Sequence, residues 1–362
     1  MTNVVLAGGG TAGHTSPLIA TAEALRAVQP GVTITCVGTA RGLETRVIPA
    51  AGLDLVLVPA VPLPRRPGRD LATLPWRLGV AVRQARGILR ERHAQVVAGF
   101  GGYASLPVYL AARTLGVPVV VHEQNAIPGV ANKVAALFAR VVAVSFPNTG
   151  LRRQRYVGLP VRGAIATLDR SGERDAARAS LGLPLQGPVL LVSGGSQGAQ
   201  RLNLAVVGAV DRLLAEGVSL LHILGGKNFD PVRHVRRDLG GASYVPVAYV
   251  DRMEHAYAAA DLMVGRSGAG TVVETAVVGL PAVFVPLPHG NGEQARNADS
   301  LVAAGGAVLV ADSDMTPDRL VAEALPLLRD PAALRRMAEA GRGLVPADAA
   351  EVLARTILAQ VR

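Results

Sequence analysis

A chain of 362 residues, half of them hydrophobic, is too long for one compact core and points to two domains. Aromatic residues make up 3% and cysteine occurs once, as Cys36, which excludes an internal disulfide and fits a cytoplasmic compartment. With 37 basic against 27 acidic residues the formal charge is +10, so an anionic partner is expected: phosphorylated substrate, anionic lipid or nucleic acid.

Strand-like runs at residues 3–7, 32–37, 53–58, 95–98, 117–121 and 141–144 alternate with helical patterns such as 17–28, 105–115 and 130–139. The chain opens straight into the first run, with no charged and apolar leader before it, so no signal peptide is expected. A second series follows at 189–192, 220–224, 243–247, 262–264, 282–285 and 307–310. This alternation predicts an α/β protein with parallel sheets. Each series opens on the same turn, Gly9-Gly10-Thr11-Ala12-Gly13 and Gly194-Gly195-Ser196-Gln197-Gly198, which predicts two Rossmann-like domains in tandem. The join is expected near 158–162, a Gly/Pro break, and the Pro- and Arg-rich stretch 59–69 reads as an exposed loop. The longest uncharged run, 275–292, holds Pro281, Pro286 and Pro288 and does not read as a membrane span.

The first turn also fits Gly-x-Gly-x-x-Gly through Gly8, Gly10 and Gly13. A dinucleotide fold wants an acid at the end of the second strand to hold a ribose, yet that strand ends Cys36-Val37-Gly38-Thr39, which argues against NAD. Ligands of open α/β sheets sit at the carboxyl ends of strands. Four such ends are rich in chemistry: 9–14, 99–103, His122-Glu123-Gln124-Asn125, and 288–294. A fifth, 264–274, runs from a strand through Gly and Ser into a helix, which exposes backbone amides at a positive dipole end and makes a phosphate seat. Glu274 then falls where a carboxylate can accept from a ribose diol; the alternative is a capping box, Thr271-x-x-Glu274. His14 and Glu123 are the candidates for a general base, each after a glycine turn or strand end. Glu123 could instead be a buried acid paired with His14 or His122. Asp312-Ser313-Asp314 superficially matches an Asp-x-Asp metal motif but reads as an ordinary turn, and no His/Cys cluster suggests zinc; no metal is expected.

Between Arg65 and Arg92 stand eight Arg against two acids, with the chain's one Trp, Trp76. On a helix from about 70 to 90, Leu71, Leu74, Leu78, Ala81, Ala85 and Ile88 form a core stripe, while Trp76, Val80 and Arg83 fall on another face. Trp beside Arg on an outward face suits a membrane interface; the alternative is a core Trp with a solvated Arg face. A nucleic-acid-binding protein would want stacking aromatics among its cations and would leave the glycine turns unexplained, so no nucleic acid is expected.

Taken together, Gly-Gly-Thr-Ala-Gly-His (9–14), Gly-Phe-Gly-Gly-Tyr (99–103), His-Glu-Gln-Asn (122–125), Gly-Leu-Pro-Val-Arg (158–162), Gly-Gly-Ser-Gln-Gly-Ala (194–199) and Arg-Ser-Gly-Ala-Gly-Thr-Val-Val-Glu (266–274) closely resemble the MurG family of UDP-N-acetylglucosamine transferases. The resemblance implies a GT-B fold, two Rossmann-like domains with parallel sheets facing a central cleft. The domains are expected at 1–162, for acceptor and membrane, and at 163–343, for UDP-GlcNAc, with a final helix in 344–362 crossing back. It implies inverting transfer of GlcNAc from UDP-GlcNAc to lipid I (undecaprenyl-diphosphate-MurNAc-pentapeptide), giving lipid II, without a cofactor. Carried over by position, Glu274 holds the uridine ribose, and the Ala269, Gly270, Thr271, Val272 and Val273 backbone seats the diphosphate with Ser196 and Arg162. Asn125 and Gln294 reach the donor sugar and Val250 offers backbone to uracil. Thr11, Ala12 and Gly13 approach the diphosphates, and Gly101, Gly102 and Tyr103 line the acceptor side. Ala12 stands where the commonest family pattern has Gly. The family also implies peripheral docking on the anionic inner leaflet, at the cytoplasmic face of the membrane, and Trp76, Arg77, Val80 and Arg83 are the residues expected there. The nearest rivals are another GT-B glycolipid glycosyltransferase and a UDP-GlcNAc 2-epimerase.

Overall fold

The structure is a computed structural model that describes every residue except Met1, Arg41, 63–68, Ser196, Gln197, Gly290 and Arg362, and the backbone alone of 69–71. The chain divides into two compact units, Met1–Arg162 with Ala347–Arg362, and Gly163–Pro346.

The N-terminal unit runs β1 (Asn3–Ala7), α1 (Ala12–Val28), β2 (Thr33–Gly38), α2 (Glu44–Ala50), β3 (Asp54–Leu57) and α3 (Arg69–Glu91). It continues with β4 (Val96–Gly99), α4 (Ser105–Leu115), β5 (Val119–Glu123), α5 (Val130–Ala135), β6 (Val141–Val144) and β7 (Gln154–Tyr156). Among the described residues these strands make one parallel sheet in the order β3-β2-β1-β4-β5-β6-β7. Strands such as Val4–Ala7 and Val96–Gly99 are buried along their whole length, so they read as unbroken apolar runs rather than alternating ones. One face is covered by α3, α4 and α5, where Ala85, Ile88, Val108, Ala112 and Ala135 pack on Val5, Val97 and Val121. The other is covered by α1, where Leu18, Ala22 and Leu25 meet Leu353, Ala354 and Ile357 of the chain's last helix. Full burial of a Leu or Ile is worth about 1.5–3 kcal/mol, enough to hold a returning helix by three side chains. That helix spans Ala349–Leu358; Gly343, at φ 81°, and Pro346 keep the segment before it out of helical conformation.

The C-terminal unit runs α6 (Gly163–Ala166), α7 (Arg170–Ser180), β8 (Val189–Ser193), α8 (Gln200–Ala215), β9 (Ser219–Ile223), β10 (Arg237–Leu239) and β11 (Ala242–Val247). After these come α9 (Met253–Ala259), β12 (Leu262–Gly265), α10 (Ala269–Val278), β13 (Ala282–Phe284), α11 (Glu293–Ala303), β14 (Ala307–Leu309), α12 (Pro317–Leu328) and α13 (Pro331–Gly341). The chain's last helix, above, is α14. This unit's strand order is β10-β11-β9-β8-β12-β13-β14. All neighbours pair in parallel except β10 and β11, which form a hairpin across Gly240 and Gly241. Both glycines have positive φ, the backbone that a two-residue hairpin turn demands. The core of this unit sets Leu202, Val206, Val210 and Leu213 of α8 against Leu320 and Ala324 of α12 and the sheet.

Candidate functional site

In the N-terminal sheet the strand order reverses between β1 and β4, whose neighbours are β2 on one side and β5 on the other. The loops leaving the carboxyl ends of β1 and β4 therefore meet at the switch point, where open sheets bind ligands. They touch: a Cβ on Gly102 would overlap the Gly9 carbonyl, and Gly10, Gly101 and Gly102 all have positive φ. Only glycine gives both the conformation and the approach. His14, in the first turn of α1, lies beside this junction. A Cβ on Gly101 would be 3.5 Å from its Nε2, and its Nδ1 is 3.1 Å from the Thr11 hydroxyl. With the proton on Nδ1, donated to Thr11 Oγ1, Nε2 presents its lone pair. Burial pulls the His14 pKa below its ordinary value, partly opposed by the charge of Glu44 and the Gly9 carbonyl. A neutral imidazole near neutral pH is the state a base needs.

Beneath the first glycine turn lies a residue the sequence did not single out. Glu44, the first residue of α2, is fully buried. Its Oε2 accepts from Gly10 N at 2.7 Å, and its Oε1 from Thr39 N at 2.9 Å and Thr39 Oγ1 at 2.8 Å. Burial alone would raise its pKa, but the hydrogen bonds from Gly10, its own amide and Thr39 outweigh that and hold it below the usual carboxylate value. The acid absent from the end of β2 thus arrives from α2, five residues past Thr39, and holds backbone.

Glu123, at the end of β5, is buried with its oxygens taken up by its own loop. Oε1 accepts from Asn125 N at 3.0 Å; Oε2 accepts from Gly129 N at 3.0 Å and Asn132 Nδ2 at 2.9 Å. Burial pushes its pKa up. The hydrogen bonds to its carboxylate thus come from Asn125, Gly129 and Asn132, not from the His14 or His122 of the alternative reading. Asn132 also accepts from the buried Tyr109 hydroxyl at 2.8 Å, and a Cβ on Gly101 would be 3.3 Å from Asn132 Nδ2, so this network backs the β4 loop. His122 donates through Nε2 to the Gly158 carbonyl at 2.9 Å and accepts at Nδ1 from Gln124. Burial drives its pKa down to about 4, so it is a neutral structural residue.

In the C-terminal unit the strand order reverses between β8 and β12, and α10 leaves the end of β12. Its N-cap is Gly268, in extended backbone with no side chain to cap the first amides. The capping-box reading fails here: the helix begins at Ala269, so Thr271 is already inside it and Glu274 lies in the second turn. Glu274 Oε2 instead accepts from the Tyr257 hydroxyl of α9 at 2.7 Å, which fixes a half-buried carboxylate on this helix. Arg266 ties the turn down. Its Nη1 donates to the carbonyls of Val285 and Pro286 at 3.0 and 2.9 Å and is 2.6 Å from Asp312 Oδ1. Asp312 Oδ2 is 3.3 Å from Arg201 Nε, so the first acid of the Asp-Ser-Asp turn serves two guanidinium groups.

The other expected residues sort by unit. Gln294, in the first turn of α11, accepts from Leu287 N at 2.9 Å, holding the loop that precedes it. Val250 is buried three residues beyond the end of β11, not at the strand end. Asn125 and Arg162 are half-buried in the N-terminal unit, Thr11 and Gly13 are exposed, Ala12 is half-buried, and Tyr103 is 52% exposed. Ser196 lies outside the described residues, as do 63–68 of the expected loop. On α3, Ala81, Ala85 and Ile88 are buried, whereas Trp76 is 74% exposed and Val80 and Arg83 are exposed, with Arg77 half-buried. The core reading of Trp76 is therefore wrong. Tyr257, Tyr109 and Asn132 join Glu44 among the residues missed: each acts through a tertiary contact, and only the Gly38-Thr39…Gly42 spacing around Glu44 left a trace in the sequence.

Two α/β units, each with a largely parallel sheet and a glycine turn at a switch point, are the architecture of the GT-B fold. Residues 4–144 match the glycosyltransferase family 28 N-terminal domain and residues 189–353 its C-terminal domain. The chain belongs to that family. It is 59% identical over 360 residues to the UDP-N-acetylglucosamine–N-acetylmuramyl-(pentapeptide) pyrophosphoryl-undecaprenol N-acetylglucosamine transferase of Cutibacterium acnes, covering 98% of this chain and 96% of that one. It is 52% identical over 351 residues to the protein of the same name from Streptomyces avermitilis, covering 97% and 96%. The crystal structure of Acinetobacter baumannii MurG superposes with a TM-score of 0.78 at 28% identity, over 99% of this chain and all of that one. A Listeria monocytogenes structure described as a UDP-N-acetylglucosamine 2-epimerase reaches 0.67 at 16% identity, covering 96% of this chain and 93% of that one, a likeness of fold alone.

Proposed function

We propose that the chain moves N-acetylglucosamine from UDP-GlcNAc to lipid I, forming lipid II, with its two units serving different substrates. It is a UDP-GlcNAc-dependent hexosyltransferase of peptidoglycan synthesis. The C-terminal unit takes the donor. The amides of Ala269, Gly270 and Thr271 at the Gly268-capped start of α10 receive the diphosphate, and Glu274, fixed by Tyr257, accepts from the uridine ribose. Val250 meets uracil and Gln294 the sugar. Ser196, with the dipole of α10, stabilises the UDP that leaves.

The N-terminal unit takes the acceptor along Gly101, Gly102 and Tyr103, with Thr11 to Gly13 near the acceptor's own diphosphate. His14 removes the proton of the attacking sugar hydroxyl; the oxygen bonds to the anomeric carbon as its bond to the diphosphate breaks, and the centre inverts. Of the two candidate bases, His14 is favoured because Glu123 is sealed by its own loop. Glu123 holds the segment carrying Asn125.

For a lipid acceptor the enzyme must come to the bilayer. Among the described residues no helix is long and apolar enough to cross a membrane. The exposed Trp76 and Val80, beside Arg77 and Arg83, supply a peripheral docking face for the anionic leaflet at the cytoplasmic side.

The observation that carries the donor reading is the uncapped start of α10 one turn before the fixed Glu274 carboxylate. Glu274→Ala should weaken UDP-GlcNAc binding by about 1.5–3 kcal/mol, the range for a hydrogen bond to a charged group. Calorimetry showing wild-type affinity in the folded variant would remove Glu274 from the donor site.

A further inference from the structure

We propose that Glu44 is a positioning residue for His14, its buried carboxylate shaping the first glycine turn and setting a fixed negative charge beside the imidazole. The inference rests on the reading of His14 as the base.

The site is built around that carboxylate. A Cβ on Gly9 or Gly42 would overlap its oxygens, and a Cβ on Gly38 would lie 2.7 Å from its Cγ, so three glycines, from the β1–α1 turn, the end of β2 and the β2–α2 loop, make room for one side chain. Three donors converge on it: Gly10 N, Thr39 N and Thr39 Oγ1. An ionised carboxylate accepts at both oxygens, whereas a glutamine would turn an NH₂ toward at least one of these donors. The held residues, Gly9 and Gly10, are those that meet Gly102 and lead through Thr11 into His14. Glu44 therefore fixes the backbone from which the histidine projects.

The charge has a second consequence. Among the described residues, Glu44 is the charged side chain whose field acts on the His14 ring; the ring's other polar neighbours are the Gly9 carbonyl and the Thr11 hydroxyl. α14, packed on α1, presents Leu353, Ala354 and Ile357 to the shared core, and the β4 loop presents the backbone of Gly101. A negative charge favours the imidazolium that forms as His14 takes the acceptor's proton, and opposes the desolvation that would otherwise make the ring too weak a base.

The test compares the full-length wild type with Glu44→Gln, Thr39→Val and His14→Ala, reading kcat, donor KM and the pH profile of kcat/KM. Glu44→Gln should lower kcat by about 10²-fold, the loss expected of a displaced catalytic group. It should leave donor KM in place and move the acid limb down by about one pH unit, because the ring has lost its stabilising charge. Thr39→Val removes one hydrogen bond but no charge and should leave the limb unmoved. Wild-type kcat and an unmoved limb in Glu44→Gln overturn the proposal, as does a Thr39→Val that shifts the limb equally. If Glu44→Gln does not fold, Glu44→Asp is read instead: a lowered kcat with the limb in place supports the role, and wild-type kcat overturns it. His14→Ala with normal turnover overturns the base reading itself. An inactive His14→Ala beside a wild-type-like Glu44→Gln overturns only the role of Glu44.

Discussion

The two Gly-Gly-hydroxyl-x-Gly turns stand at equivalent places, each at the carboxyl end of a strand beside a switch point, yet they rest on different supports. The first lies on an ionised carboxylate, Glu44, and leads to His14. The second lies on amides. A Cβ on Gly198, whose φ is 73°, would overlap Asn228 and sit 2.6 Å from the Leu224 carbonyl. That carbonyl accepts from Asn228 Nδ2 at 3.2 Å and Asn203 Nδ2 at 3.0 Å. Asn203 is bonded to His222, and His222 to the Tyr244 hydroxyl. Burial drives the His222 pKa down to about 3, so this network is neutral. The same residue pattern thus follows a strand end in both units, and the group beneath decides the electrostatics. A charged support belongs to the turn that leads to the proposed base. A neutral one belongs to the unit proposed to take the donor, where a fixed negative charge would repel a diphosphate.

The largest way to break this contrast is to remove the histidine that the charged turn carries. His14→Ala should lose about 10²–10⁴ in turnover, the usual worth of a positioned base. Glu123→Gln should lose less, since it keeps one acceptor for its loop; product assays that rank the two in reverse order would move the base to Glu123.

The neutral support is tested through pH. The folded pKa of His222 lies below the unfolded value near 6.5, so the unfolded chain binds more protons in acid. Its contribution is complete above about pH 6.5 and declines as pH falls toward 3. Between pH 6.5 and 5 this one residue should cost about 2 kcal/mol in urea unfolding, at 1.36 kcal/mol per unit. His222→Gln should flatten that part of the slope. His122, at about 4, adds a similar loss in the other unit, so an unaltered slope in His222→Gln would mean that His222 titrates freely.

The smallest effect concerns the exposed face of α3. Each Arg near an anionic surface adds about 1 kcal/mol, attenuated by salt. Binding to anionic liposomes should weaken with salt and again in Trp76→Ser combined with Arg77→Glu and Arg83→Glu, with donor affinity unchanged. Equal sedimentation of the wild type and the triple variant would move the docking face elsewhere.

Much of this is legible in the residues because buried parallel strands are apolar runs and switch-point turns are glycines. β7 and β10 escaped: Gln154-Arg155-Tyr156 and Arg237-Asp238-Leu239 are short and polar, as edge strands tend to be. The start of α1 was set too late because Ala12-Gly13-His14 carries no cap and no apolar period. Trp76 could be placed on an outward face by helical period alone. Glu44 and Tyr257 could not be found that way, since their importance lies in what they hold across the fold: Gly10 is 34 positions from Glu44, and Glu274 is 17 from Tyr257.

The division of labour between the units is tested most directly by titrating UDP-GlcNAc into folded His14→Ala by calorimetry. A base on the acceptor side predicts the wild-type dissociation constant in a variant that no longer turns over. Affinity weakened by about tenfold or more, 1.4 kcal/mol, would make His14 a ligand of the donor diphosphate and contradict the account.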